Sequence, residues 1–473
     1  MPLLFAFILF FTLFATLAAE EAFDPLSEFG AIEEDPLSGF EEFETAQTRT
    51  RASEPSALEL SGNLAFKSSY GYRAHSVDGV EYSGVNQAQS ALFLQLDYEL
   101  SENWSARVSG DGFYDAYYSL SGKDFNKDVL KSYETQLRFD DVYVQGRVSK
   151  NLDVKLGRQI VVWGKSDSIR VTDVINPLDN RLPAMTDIKD LRLSTTMAKL
   201  DYYSGAWNFS AMLIAESRIF LEAAPRGEYF PVDAVFAGAP NPFIELKKPQ
   251  DGFENFDTMQ YAFAANGVFS GWDLSLYAAD VLDSRWHIEG NLPNAKRVVS
   301  KVQMLGAAIN IVQGSWLIKS EAAYFESLRY NSTKNSKNRL DALIGFDYMG
   351  VKDSVLSFEV ANRHIFAYET RMSGQTAGVV PDYVQEDEFQ STIRVTRSFQ
   401  NDSLKATVLL SMFGHNWEYG GFFRASLAYD VADGISANIG IIDYIDAQNI
   451  QERPFINAIS NNDRLFIDIT YSF

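Results

Sequence analysis

The chain has 473 residues, no cysteine, and 41 Lys+Arg against 63 Asp+Glu, a formal charge of −22. That acidity excludes a nucleic-acid footprint, and the missing thiols exclude a disulfide framework and thiolate metal sites. With 46% hydrophobic and 14% aromatic residues, the chain is neither disordered nor a bundle of membrane helices.

Leu3–Leu17 is an apolar run too short to span a bilayer comfortably, followed by Ala18, Ala19, Glu20 and Glu21. Residues 1–19 read as a secretory signal peptide, although no Lys or Arg precedes the run. Residues 20–57 hold eleven acidic residues against Arg49 and Arg51, which predicts a mostly disordered, acidic periplasmic leader. Within it Asp24-Pro25-Leu26-Ser27-Glu28-Phe29 recurs as Asp35-Pro36-Leu37-Ser38-Gly39-Phe40. The repeat, Asp24–Phe29 and Asp35–Phe40, is a candidate docking motif for a periplasmic partner or a lumen plug.

From Leu58 the hydrophobic period is two. Leu92, Leu94, Leu96, Tyr98 and Leu100 alternate with Phe93, Gln95, Asp97 and Glu99. Trp104, Ala106, Val108, Gly110 and Tyr114 alternate with Ser105, Arg107, Ser109, Asp111 and Asp115. The alternation slips phase at Asp140-Asp141, which predicts a strand bulge. Tight turns are expected near 101–103, 150–151, 204–206, 270–271, 314–315, 350–352, 400–402 and 432–434. Long links lie between them, at 73–89, 119–131, 162–191, 217–257, 283–297, 327–337, 365–387 and 446–462, with one short link around 414–416. Long strands with short turns at one end and long loops at the other are the layout of outer-membrane barrels. Residues 58–473 are therefore read as an all-β transmembrane antiparallel barrel of about eighteen strands, with sixteen as the alternative. An even count puts both termini on one side, taken as the periplasm.

The polar rows carry both signs of charge. Arg107, Asp111, Lys155, Lys199, Asp201, Glu359, Arg363, Lys405 and Arg424 are expected to face a water-filled lumen, because lipid would not tolerate them. Lys319, Glu321, Asp341 and Asp468 share those rows. Trp104, Trp207, Trp272, Trp316 and Tyr429, near strand ends, suit interfacial girdles. The last strand ends Leu465, Ile467, Ile469, Tyr471, Phe473 on one face. A terminal Phe preceded two positions earlier by Tyr resembles the C-terminal signal of bacterial outer-membrane barrels. That resemblance implies the barrel-assembly machinery as a partner, reading Tyr471 and Phe473.

The densest polar segment is the link after the fifth strand. Leu156-Gly157-Arg158-Gln159 leads through Trp163, Gly164, Lys165, Asp167, Arg170 and Asp173 to Asn176-Pro177, Asp179 and Arg181. Such a loop often folds inward and narrows a barrel. Arg158, Gln159, Trp163, Lys165, Asp167, Arg170, Asp173, Asn176, Asp179 and Arg181 are the candidate constriction and selectivity residues. A structural reading stands beside that one: Gly157 and Gly164 permit close packing, and Asn176-Pro177 makes a turn. The run resembles one in a family of proteobacterial outer-membrane barrels of unassigned function, whose members are associated with secreted partners and RND-type transporters of hydrophobic compounds. It is similar, more weakly, to the Gly-Arg-Gln strands of alginate-export and other substrate-selective porins. By that resemblance Arg158, Gln159, Trp163, Asp167, Asn176, Pro177 and Asp179 are the motif positions, and Lys165 stands where an acidic residue is expected.

The 217–257 link holds Phe220, Tyr229, Phe230, Phe236, Phe243, Phe253 and Phe256 among five prolines, and is read as a cap or a contact for an apolar solute or partner. No nucleophile elbow, zinc-binding helix or phosphate-binding glycine loop occurs, and His75, His287, His364 and His415 lie in no catalytic pattern. No enzyme activity, cofactor or metal is expected. The function expected is a porin-like channel for small or medium solutes. The alternatives are a barrel that moves hydrophobic compounds with a periplasmic or RND-type partner, and an outer-membrane enzyme or adhesin.

Overall fold

A computed structural model describes residues 57–230, 252–253, 259–283, 285–289, 296–374, 382–448 and 454–473. The signal peptide, the acidic leader and both copies of its repeat lie outside the described residues. Eighteen strands form the barrel: β1 Leu58–Gly71, β2 Gly84–Ser101, β3 Trp104–Asp115, β4 Thr135–Ser149, β5 Leu152–Gln159, β6 Thr195–Ser204, β7 Trp207–Ile214, β8 Gln260–Phe269 and β9 Trp272–Leu282. The second half comprises β10 Lys301–Gln313, β11 Trp316–Leu328, β12 Lys337–Val351, β13 Ser354–Ile365, β14 Asp387–Phe399, β15 Leu404–Phe413, β16 Gly421–Ala432, β17 Ile435–Ile445 and β18 Arg464–Ser472.

Each strand pairs antiparallel with the next, and β18 returns to β1 through Leu64↔Tyr471 and Phe66↔Ile469. Phe473 extends the seam by exchanging two backbone hydrogen bonds with Gly62, both 3.0 Å. Closure leaves no sheet edge along that seam, as a barrel in lipid requires. Eighteen strands, rather than sixteen, close the ring.

All eight expected tight turns join strands at one end, where β1 begins and β18 finishes. The nine longer connections cluster at the other end. Two residues, Asp140 and Asp141, oppose Ser109 where the β3–β4 register jumps from Val108↔Val142 to Gly110↔Phe139, so the expected bulge is there. Trp104, Trp207, Trp272 and Trp316 each open a strand at the short-turn end. Rings pack into a band there: Phe269 stacks on Trp272 at 4.3 Å and meets Trp207 at 5.7 Å, and Trp316 meets Tyr348 at 4.5 Å. Leu92, Leu94, Leu96, Leu276, Leu305, Ile439, Ile467 and Ile469 are exposed on the outer face. Among the described residues no helix is long and apolar enough to cross a membrane.

One expectation needs correction. The inner face is not polar throughout. On β6 to β13, Met197, Met212, Ile214, Met304 and Phe325 point inward and are buried, with Ala262, Ala264, Ala279, Ala308, Ala323 and Ala361 between them. The alanines leave room for chain inside the barrel, and the larger apolar groups give it something to pack on.

Candidate functional site

What fills that recess is the connection from β5 to β6. Its base is a clasp. Asn176 accepts a hydrogen bond at Oδ1 from the Val161 amide (2.7 Å). Its Nδ2 donates to the carbonyls of Gln159 (3.2 Å) and Leu193 (2.8 Å). The loop's entry, middle and exit are thus tied by one side chain. Leu193 also donates its amide to the Pro177 carbonyl (2.8 Å). Gln159 is fully buried and its amide reaches the carbonyls of Lys155, Gly157 and Met197. Gly157 has φ +128°, and a Cβ there would lie 2.2 Å from the Val142 carbonyl oxygen. Only glycine fits such an approach at that φ. Gly157→Ala should therefore break the β4–β5 pairing at this point, costing about 1–3 kcal/mol. The check is the temperature at which the folded form disappears on unheated versus heated gels; an unchanged midpoint would refute the assignment.

From this clasp the chain descends. Trp163 stacks on Tyr277 of β9 (4.6 Å), whose hydroxyl accepts from the Gly164 amide (3.2 Å). Gly164, at φ +89°, lets the chain pass Glu321, whose carboxylate oxygens lie 2.9 Å from where a Cβ would be. Two buried carboxylates then grip the turn. Glu321 of β11 accepts from the Lys165 and Ser166 amides (2.5 and 2.7 Å) and from the amide and hydroxyl of Thr172 (3.2 and 2.7 Å). Glu359 of β13 accepts from the Ser166 hydroxyl (2.7 Å) and the Asp167 and Ser168 amides (3.0 and 3.2 Å). Successive amides converging on a carboxylate make a concave anion nest, here with the anion supplied by the barrel wall. Lys319 of β11, 3% exposed at its side chain, pairs with Asp167 and with Asp347 of β12 (2.8 Å), and lies 3.9 Å from Glu359. Lys165 reaches Asp273 (2.6 Å), one residue from the short-turn end of β9. The loop backbone is thus held about midway up the wall, at Tyr277, Glu321 and Glu359, each five residues from the short-turn end of its strand, with the Lys165 side chain reaching further down. Ile169, Val171 and Ile175 seal it onto the apolar half of the wall.

The returning limb crosses to the other side. Asp173 binds Arg170 (3.1 Å) and Arg192 (2.9 Å). Burial pushes the Arg170 guanidinium down from its ordinary value against the pull of Asp173. Arg181 binds Asp179 (2.8 Å), the Ser132 carbonyl and Gln136 (both 2.7 Å). Asp187 pairs with Arg394 of β14 (2.9 Å) and Arg424 of β16, and Tyr444 of β17 donates to the Pro183 carbonyl (2.6 Å).

The start of the next long link is also inside. Leu221–Glu222 lies parallel to Asp179–Asn180, and Glu228 pairs with Arg464 of β18 (2.5 Å). Tyr229 is buried against Tyr444, and Phe230 stacks on Phe455. Phe220 instead lines a separate recess with Val174, Pro177 and Leu282. Phe236, Phe243, Phe256 and the Phe253 side chain lie outside the described residues.

A cavity of about 310 Å³ remains between the returning limb and the wall of β1 to β4 and β18. It is lined by Lys67, Asp111, Arg138, Asp179, Arg181, Arg192, Glu228 and Arg464, with Tyr82, Tyr118, Tyr133 and Tyr229. Burial raises the Tyr133 phenol, which donates to the Arg181 carbonyl (3.0 Å).

Of the ten loop candidates, Asp179 and Arg181 reach this cavity. Gln159, Trp163, Lys165, Asp167, Arg170, Asp173 and Asn176 hold the loop in place instead, and Arg158 pairs with Glu216 beyond β7. The wall residues point inward as the alternation requires. Asp111 binds Arg138 (2.8 Å), Arg107 binds Asp97 (2.7 Å), Lys199 binds Asp201 (2.6 Å), and Lys155 lies over the Tyr143 ring (3.9 Å). Arg363 donates to the Arg170 carbonyl (3.3 Å), whereas Lys405 is exposed at the short-turn mouth. Lys319, Glu321, Asp347 and Asp187 were not among the site candidates. The signal available was two charges, Lys319 and Glu321, on the inward row that continues as Ala323 and Phe325.

A model of the family described as "Protein of unknown function (DUF1302)" matches residues 32–473. The chain belongs to that family. No curated protein matches it. Among solved structures, the outer membrane protein OpdK from Pseudomonas aeruginosa is 11% identical, with 88% of this chain and 99% of that chain covered and a TM-score of 0.49. OccAB4 from Acinetobacter baumannii is 13% identical over 88% and 98% (TM-score 0.48). OmpT of Vibrio cholerae lacking loop L8 is 9% identical over 88% and 99% (TM-score 0.41).

Proposed function

We propose that this family member is an outer-membrane channel for small solutes, narrowed by its own β5–β6 loop. The observation that carries the reading is a closed barrel with apolar rows outside and, inside, a loop held by charged wall residues beside a polar cavity. The short-turn end, where β1 begins and β18 finishes, faces the periplasm. Asp179, Arg181, Asp111 and Arg138 set the selectivity, because they line the remaining cavity. The Tyr471–Phe473 end, paired at the seam, serves recognition by the assembly machinery.

Single-channel recording in planar bilayers tests this. Stable openings are expected, and Arg181→Ala should move the reversal potential in a KCl gradient toward cation preference, since Asp179 then loses its partner. Arg170→Ala, buried away from the cavity, should lower stability and leave the reversal potential in place. A silent wild-type protein sinks the channel, and an unmoved potential in Arg181→Ala sinks the constriction.

A further inference from the structure

The barrel wall is not equally tall all round. β4 runs from Thr135 to Ser149, but β5 pairs with it only from Val142 onward. Thr135–Phe139 have β3 on one flank, from Tyr114↔Thr135 to Gly110↔Phe139, and no strand among the described residues on the other. The pairings of β5 with β6, β6 with β7 and β7 with β8 each cover eight residues, fewer than the ~9–11 a membrane strand uses. At ~3.4 Å per residue and a tilt of ~40°, the climb from Leu152 to Arg158 is about 16 Å, whereas the apolar band of such barrels is ~25 Å tall. The top of this low wall therefore lies inside the band, and Phe139 stands near its outer boundary.

The rim of the gap is amphipathic. Phe139 is 65% exposed and Leu137 91% exposed on the outer face of β4. Val162 is 58% exposed where the chain turns inward. These continue the outward rows of Val142, Val144 and Leu156. At the sill, Arg158 pairs with Glu216 and donates to the Phe139 carbonyl (3.4 Å), on the segment that lacks a second strand. A strandless flank cannot rest against acyl chains without polar groups to meet it. On the inner face of the same segment, Gln136 and Arg138 line the cavity. One strand thus separates the lipid-facing surface from the lumen along this unpaired flank.

We infer that the gap between β4 and β5 is a side portal, through which a single-chain amphiphile dissolved in the membrane passes to the lumen cavity, its tail sliding over Leu137 and Phe139 and its head meeting Arg158. The portal rests on the channel reading above and names the class of solute. Because the chain has no cysteine, Leu137→Cys and Phe139→Cys can each be labelled after folding with a bulky maleimide–polyethylene glycol. Vesicles carrying the labelled protein, with a dansyl-tagged dodecyl sulfonate added to the outer leaflet, should lose transfer of the probe to the interior, down to the rate of protein-free vesicles. KCl conductance of the same labelled protein should be unchanged. The same label at Ile439→Cys, on the outer face of β17, should leave transfer intact. Persisting transfer after labelling at 137 and 139, or none with unlabelled protein, overturns the portal while KCl conductance still stands. Absent KCl conductance in unlabelled protein removes the channel itself.

Discussion

Excising residues 165–190 and joining the ends through a short Gly–Ser linker should raise single-channel KCl conductance roughly three- to tenfold, because an eighteen-strand barrel without a plug leaves a water-filled bore. The hairpin of β5 and β6 should survive, since Gln159↔Thr195 and the pairs below it do not involve the loop. The barrel should also unfold at a lower temperature. Met197, Met212, Met304 and Phe325 are buried under Ile169, Val171 and Ile175, and stripping that cover exposes apolar surface at about 25 cal/mol per Å². Charge selectivity should fall together with the conductance rise, as Asp179 and Arg181 leave with the loop. An excised protein that conducts like the wild type would show that the passage is limited elsewhere.

Lys319→Met should cost about 3–5 kcal/mol of stability, the range for removing one partner of a buried charge cluster. Methionine keeps the length of the side chain but leaves Asp167, Asp347 and Glu359 facing one another without their cation. Repulsion should free the loop tip, seen as rapid current fluctuation in single-channel records. Adding Asp347→Asn should recover part of the loss, because one uncompensated charge is then gone. High salt should rescue only the part due to Asp167, whose side chain is 47% exposed, because Asp347 and Glu359 are shielded from solvent. Lys405→Met, at the open mouth, is the control and should change neither stability nor noise. A Lys319→Met protein as stable and quiet as the wild type would remove the wall-to-loop ion cluster from the mechanism.

The ladder itself was readable from the residues. Leu92 to Leu100 alternates with Phe93 to Glu99, and that parity decides outward and inward faces in the fold. The eight turns and the Asp140-Asp141 bulge were equally local signals. The Leu156–Asp179 motif could be located but not interpreted. Gly157, Gln159, Trp163 and Asn176 make a clasp whose partners, Val142, Met197, Tyr277 and Leu193, share no pattern with them in sequence. Lys319 was legible as an inward charge, yet its contact with Asp167 lies 152 residues away, where no periodicity reaches.

What the residues determined by themselves is therefore the alternation, the hairpin order and the face each side chain takes, because a strand's period of two is a property of neighbouring residues. Ring closure brought β5, β11 and β13 around one space, and only then could Glu321, Glu359 and Lys319 select a single path for the loop. The apolar lining of β6 to β13 and the low wall beside β4 arise at that same level. Both depend on which strands stop short and what chain is drawn in to cover them, and those are contacts made across the lumen rather than along the chain.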